Sequence, residues 1–223
     1  MNNWDYKKIA IVEADDFQDK FDRSGLNYLF YWKAKYPNFR ISLFTIPEKT
    51  SGEFLYLIEK HFDWIELVVH GWHHDSNFEC YGWDYDKTQT LMKRTTSLIW
   101  YKNIFKAPGW TIYPGLNGYP SAPEDPITRD PGAVYRALKD MDFIVADRHY
   151  NKSARPEGLK VICVDCQPNL VHMHTWNMMS PNENERNGFE QVETRGVPWD
   201  KETEFYTLSE AYEKGLIESC KDS

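Results

Sequence analysis

Short apolar runs alternate with longer stretches whose apolar residues recur every three to four positions, the pattern of repeated β–α units around a mostly parallel sheet or barrel. Residues 8–12 read as a first strand, and 26–36 as a helix stopped by Pro37. A second strand is expected over 40–46, closed by Pro47, then a helix over 54–62 through Leu55, Ile58 and Phe62, and a third strand over 64–69 running into His70. The longest helix is expected over 86–105, with Leu91, Thr95, Leu98 and Tyr101 on one side, after which Lys106 opens a short strand or loop. Residues 111–131 hold five of the 12 Pro and two of the 12 Gly, the composition of a long surface loop suited to walling a site. A helix over 131–141 carries Pro in its first turn. Strands follow at 143–146, 159–164 and 170–174, then a polar stretch over 177–200, a last strand over 204–207 and a helix over 208–214. No repeat, low-complexity tract or linker divides the 223 residues, so a single domain over 1–223 is expected.

Composition narrows the class of function. Hydrophobic residues make up 41% of the chain, with 9 Trp, 14 Tyr and 12 Phe, far more buriable surface than a disordered chain carries. The net charge of −8 repels a polyanion, so nucleic acid is not the expected partner. No apolar run approaches the ~20 residues of a membrane-spanning helix, and the first residues lack the apolar core of a secretory signal. A cytoplasmic location without membrane insertion is the expectation. The four Cys are too few for a disulfide scaffold, and Cys163 and Cys166 lie in a strand-like run; reduced thiols are expected.

Three polar clusters follow expected strands, where the loops of α/β sheets and barrels gather ligand sites. They are Glu13-Ala14-Asp15-Asp16, then His70-Gly71-Trp72-His73-His74-Asp75, then His172-Met173-His174-Thr175-Trp176, and the latter two hold five of the 7 His. Adjacent carboxylates repel and resist desolvation, which a cation resolves; a solvated turn or a helix N-cap resolves it as well. His70 and His74 have the i, i+4 spacing that places two imidazoles on one helical face, a zinc-binding geometry, though two surface His at a loop give the same spacing. One carboxylate with two imidazoles supplies three ligands and leaves a coordination position open for water or substrate, with a second Asp left for acid–base work.

The order and spacing of these segments resemble the polysaccharide deacetylases of carbohydrate esterase family four, the nodulation-type deacetylase domain. Asp15-Asp16 resembles the core of the first motif, His70-x-x-x-His74 the second, Lys106-Ala107-Pro108-Gly109-Trp110 the third, and Leu170-x-His172 the last, so that the likeness spans nearly the whole chain. The resemblance implies a distorted (β/α)7 barrel of the α/β class and a divalent ion, usually Zn2+ with Co2+ or Ni2+ as alternatives. It further implies Asp16, His70 and His74 as ligands and Asp15 as general base. The general acid has two candidates: His172 fits the Leu-x-His pattern, while His174 lies nearer Thr175-Trp176 and is favoured on that ground. Lys106, Pro108, Trp110, Trp72 and Trp176 are the expected substrate-binding residues, and Asp147 is the candidate for orienting the base or acid.

The chain departs from the motifs at several places. Phe17 stands where the family has Gly, Gly71 where it has a loop-bracing Ser or Thr, and Lys106 where it has Arg, exchanging a bidentate fork for a point charge. The expected activity is metal-dependent removal of an acetyl group from an N-acetylated sugar or glycan. Two other readings stand beside it: a sugar-binding relative without catalysis, and a different metal-dependent amide or ester hydrolase. In amidohydrolases, however, a His-x-His closes the first strand, whereas here it follows residue 170.

Overall fold

The computed structural model describes residues 9–19, 23–98, 100–110, 112, 130, 132–148, 154–164, 167, 169–175 and 199–217. Strands β1 (Ile9–Phe17), β2 (Ile41–Thr45), β3 (Ile65–His70), β4 (Tyr101–Lys106), β5 (Ile144–Asp147), β6 (Lys160–Cys163), β7 (Leu170–His174) and β8 (Glu204–Tyr206) carry the sheet. Helices α1 (Arg23–Lys35), α2 (Gly52–Glu59), α3 (Tyr85–Thr96), α4 (Ala133–Asp140) and α5 (Leu208–Glu213) connect or follow them. Every pairing with a resolved register is parallel. This alternation is the α/β class, of the distorted (β/α)7 barrel type that the sequence leads one to expect.

The chain forms two compact units, and the division falls inside β3, between Leu67 and Val68. In the first, strands run in the order β3, β2, β1, β7, with β8 also pairing with β1. β2 is buried at every position, as a strand covered on both faces must be, and its sequence ISLFT is correspondingly poor in alternation. Glu66 of β3 accepts from Ser42 Oγ at 2.7 Å and from the Ser209 N–H at 3.3 Å, so the buried carboxylate sits at the N-terminus of α5, where the helix dipole favours it. α5 itself is fixed by a capping box between Thr207 and Glu210. An aromatic cluster of Trp32, Tyr36, Phe39, Trp199 and Phe205 fills this unit's core, with Trp32 and Tyr36 stacked one helical turn apart at 5.8 Å.

In the second unit the order is β3, β4, β5, β6, with α3 and α4 packed on each other. α3 begins where Asp84 accepts from the Lys87 N–H at 2.7 Å. It ends at Thr96, so the helix expected over 86–105 is in fact a helix followed by β4. Leu91, Thr95, Leu98 and Tyr101 share helical spacing, but Ile104 and Phe105 pair in register with Ile144 and Val145 of β5, and ladder hydrogen bonding overrides the periodicity. The first strand also runs five residues past its expected end at Val12, to Phe17. The loop expected over 111–131 and the polar stretch over 177–200 fall largely outside the described residues. Among the described residues no helix is long and apolar enough to cross a membrane.

Candidate functional site

β1 is buried along nearly its whole length, yet it carries Glu13, Asp15 and Asp16 toward its carboxyl end. The register against β2 shifts between Ala14 and Phe17, where three steps on β1 face two on β2, and Asp16 takes a left-handed φ of 68°. Such a bulge re-aims side chains, and bulges concentrate beside active sites. Asp tolerates the left-handed region at a cost on the order of 1 kcal/mol. The Asp pair therefore lies inside an irregular strand end rather than in a turn after it.

β7 lies parallel to β1 with Glu13 opposite His172 and Asp15 opposite His174. Residues two apart share a face, so both carboxylates and both imidazoles stand on the same side of the sheet. His172 Nδ1 is 2.8 Å from Glu13 Oε1 and its Nε2 is 4.0 Å from Asp15 Oδ2. The two rings stand 5.1 Å apart, edge to face. Glu13 is 0% exposed and Asp15 3%, whereas the His172 side chain keeps 31% of its surface. A carboxylate wholly out of water needs hydrogen bonds and countercharge. A proton on His172 Nδ1 donated to Glu13 answers part of that need and leaves Nε2 facing the Asp15 side. One donor atom each of Asp15, His172 and His174 lies within 4.8 Å of the others.

In the second unit His70 closes β3 and is 2% exposed. Its Nδ1 donates to the Lys106 carbonyl at 3.1 Å, which fixes the tautomer and leaves the Nε2 lone pair available to a metal. The ring of His74 lies 4.9 Å away. The two meet across an irregular loop rather than on one helical face: Gly71 and His74 have φ of 61° and 48°. Glu79 holds this loop by accepting the backbone N–H groups of Trp72, His73 and His74.

Lys106, fully buried at the end of β4, places Nζ 4.4 Å from the Trp110 ring centroid, and Arg148 lies 5.1 Å from the same ring. Pro108 is buried, while Trp110 is partly exposed. Trp72 is 7% exposed with the Arg94 guanidinium 5.0 Å over its ring, so core packing occupies that indole; Trp176 lies outside the described residues. Asp147 closes β5 and accepts from Tyr135 Oη at 2.6 Å, from Arg155 Nε at 3.3 Å and from the Arg148 N–H at 2.8 Å. Burial and then the Asp147 charge push the Tyr135 hydroxyl well above its ordinary pKa.

Glu13 and Glu79 are the residues that sequence reasoning passed over. Glu13 belongs to the first cluster, and its i, i+2 relation to Asp15 on a strand marks a shared face. Glu79 has no motif; the one signal is Gly71, whose missing side chain leaves the loop to be braced from elsewhere. No family model matches the chain, and no curated protein matches it.

Proposed function

We propose that the protein is a metal-dependent hydrolase that removes the acetyl group from an N-acetylated sugar or glycan. Asp16, His70 and His74 would hold a divalent ion, zinc in the first instance, in keeping with the resemblance of their motifs. Two neutral imidazoles and a carboxylate suit zinc, cobalt or nickel better than magnesium or calcium, and the His70 tautomer fits this role. A divalent ion so held would supply Lewis-acid polarisation of the acyl carbonyl and lower the pKa of bound water toward ~7.

The remaining steps belong to the chain's own groups. Asp15 accepts a proton from the attacking water as the new C–O bond forms at the acyl carbon. His172 Nε2 donates a proton to the nitrogen as the C–N bond breaks, releasing acetate and the amino sugar. His174 is the other candidate acid; the Glu13 contact at 2.8 Å favours His172, because a carboxylate behind Nδ1 fixes the tautomer and supports the charge that the acid carries. The partly exposed Trp110 face suits the apolar face of a pyranose.

The observation that supports the reading is the gathering of Asp15, His172 and His174 on one face at the end of β1 and β7, which brings the carboxyl group proposed as base near the imidazoles proposed as acid. The test is metal analysis of the purified protein with acetate release measured on a panel of N-acetylated mono- and oligosaccharides. Tightly held ion with turnover that Asp15→Asn removes is the expected result. A protein that holds the ion and hydrolyses nothing on the panel would instead be a sugar-binding relative.

A further inference from the structure

We propose that Glu79 is a positioning residue that presents His74 to the metal. The inference rests on the ligand set proposed above, but the observation behind it lies wholly within the second unit. Trp72 N donates to Glu79 Oε1 and Oε2 at 2.9 and 3.1 Å, His73 N to Oε1 at 2.8 Å, and His74 N to Oε2 at 2.9 Å. Three successive N–H groups converge on one carboxylate only where the backbone departs from helix and strand, and Gly71 and His74 supply the departures with positive φ. Such a concavity of N–H groups is an anion-binding nest. Here the anion is part of the chain itself.

Two features tie the nest to the imidazole rather than to the loop in general. His74 is the last of the three donors, so its amide, its left-handed backbone and hence the direction of its Cα–Cβ bond are set by the bond to Oε2. At the other end, Gly71 follows the buried His70, and its N–H donates to the Lys106 carbonyl that also receives His70 Nδ1. The five residues from 70 to 74 are thus pinned at both ends by acceptors outside the loop, one carbonyl and one carboxylate. Space enforces the arrangement. A Cβ at residue 71 would lie 2.3 Å from Glu79 Oε2 and 2.7 Å from Pro108 Cγ, so any side chain there displaces the carboxylate or the proline. Outer-shell groups that orient ligands typically govern metal affinity by about 10- to 100-fold.

The experiment compares wild type with Glu79→Gln, Glu79→Ala and Gly71→Ala in the full chain. Zinc affinity is measured by competition with a chromogenic chelator, amide hydrogen exchange is read at residues 72–74, and near-ultraviolet circular dichroism reports whether each variant is folded. Glu79→Ala and Gly71→Ala are expected to bind zinc about 10- to 100-fold more weakly and to exchange those amides faster in the metal-free state. Glu79→Gln keeps one carbonyl oxygen and should fall between them and wild type. Because Gln is nearly isosteric, it carries the test if either Ala variant fails to fold. Undiminished zinc affinity in the folded Glu79 variants overturns the positioning role and leaves the metal reading standing. A wild type that takes up no zinc overturns the metal reading, and the positioning role with it.

Discussion

Glu13 Oε1 and His172 Nδ1 meet at 2.8 Å across β1 and β7, the carboxylate wholly buried and the imidazole partly exposed. The pair joins a buried carboxyl group to a partly exposed imidazole. Under the proposed reaction, Glu13→Gln should lower kcat by about 10²-fold with KM nearly unchanged, because the loss falls on proton transfer in the transition state. His172→Gln should lower it at least as far and His174→Gln less. Steady-state kinetics of the three variants decide it; the largest loss at His174 would transfer the acid role there.

Metal binding and base catalysis should separate cleanly. His70→Ala is expected to lose the ion and turnover together, whereas Asp15→Asn should keep a full equivalent of ion and lose about 10²- to 10⁴-fold in rate. Elemental analysis alongside acetate release reads both. Wild-type turnover by Asp15→Asn would remove the base assignment.

Chelation gives a test without mutation. Prolonged dialysis against a strong chelator should abolish acetate release, and stoichiometric Zn2+ or Co2+ should restore it while Mg2+ does not, since imidazole donors prefer the former. Full activity after exhaustive removal would sink the metal-dependent reading.

Alkaline conditions should weaken the fold. Burial, then the Glu79 charge, raises the Cys80 thiol well above 9.0, and burial, then Asp147, raises the Tyr135 hydroxyl well above 10.0. In the unfolded chain both groups shed protons near their ordinary values while the folded chain retains them. The unfolded state therefore binds fewer protons, and stability falls as pH rises above about 9. Urea unfolding at pH 7, 9 and 10 measures the slope, which Cys80→Ala should flatten. An unchanged midpoint from pH 7 to 10 contradicts the expectation.

The ion pair of Arg155 with Asp147 is nearly closed to water, at 7% and 3% side-chain exposure. Asp147→Ala strands a buried guanidinium and orphans Tyr135 Oη, for an expected loss of roughly 3–5 kcal/mol. Tyr135→Phe removes one hydrogen bond to a charged group and should cost about 1.5–3 kcal/mol. Chemical denaturation ranks the two, and a smaller loss for Asp147→Ala than for Tyr135→Phe would reverse the argument.

The fold class was legible because its carriers are local: apolar strand runs such as Ile41–Thr45 and proline stops such as Pro37 act within a few residues. The break between α3 and β4 was not, since Tyr101 satisfies helical spacing from Leu98 and only pairing with a distant strand makes it β. The reach of β1 to Phe17 was hidden for a related reason, as Asp15-Asp16 reads as a turn until a bulge accommodates it. At the site, the chemistry-bearing residue types were visible, but the partners that orient them were not. His172 finds Glu13 159 residues away, and Glu79 reaches the loop through backbone N–H groups, which every sequence offers alike.

The enclosed carboxylate of Glu13 sets resilience against purpose. Apolar residues of similar volume in place of both Glu13 and its partner His172 would relieve the strand of a desolvated charge, and exchanges of a whole pair often leave a fold as sturdy or sturdier. Breeding for heat tolerance alone would be expected to discard this pair early and yield a hardier molecule stripped of the acid–base chemistry proposed for it.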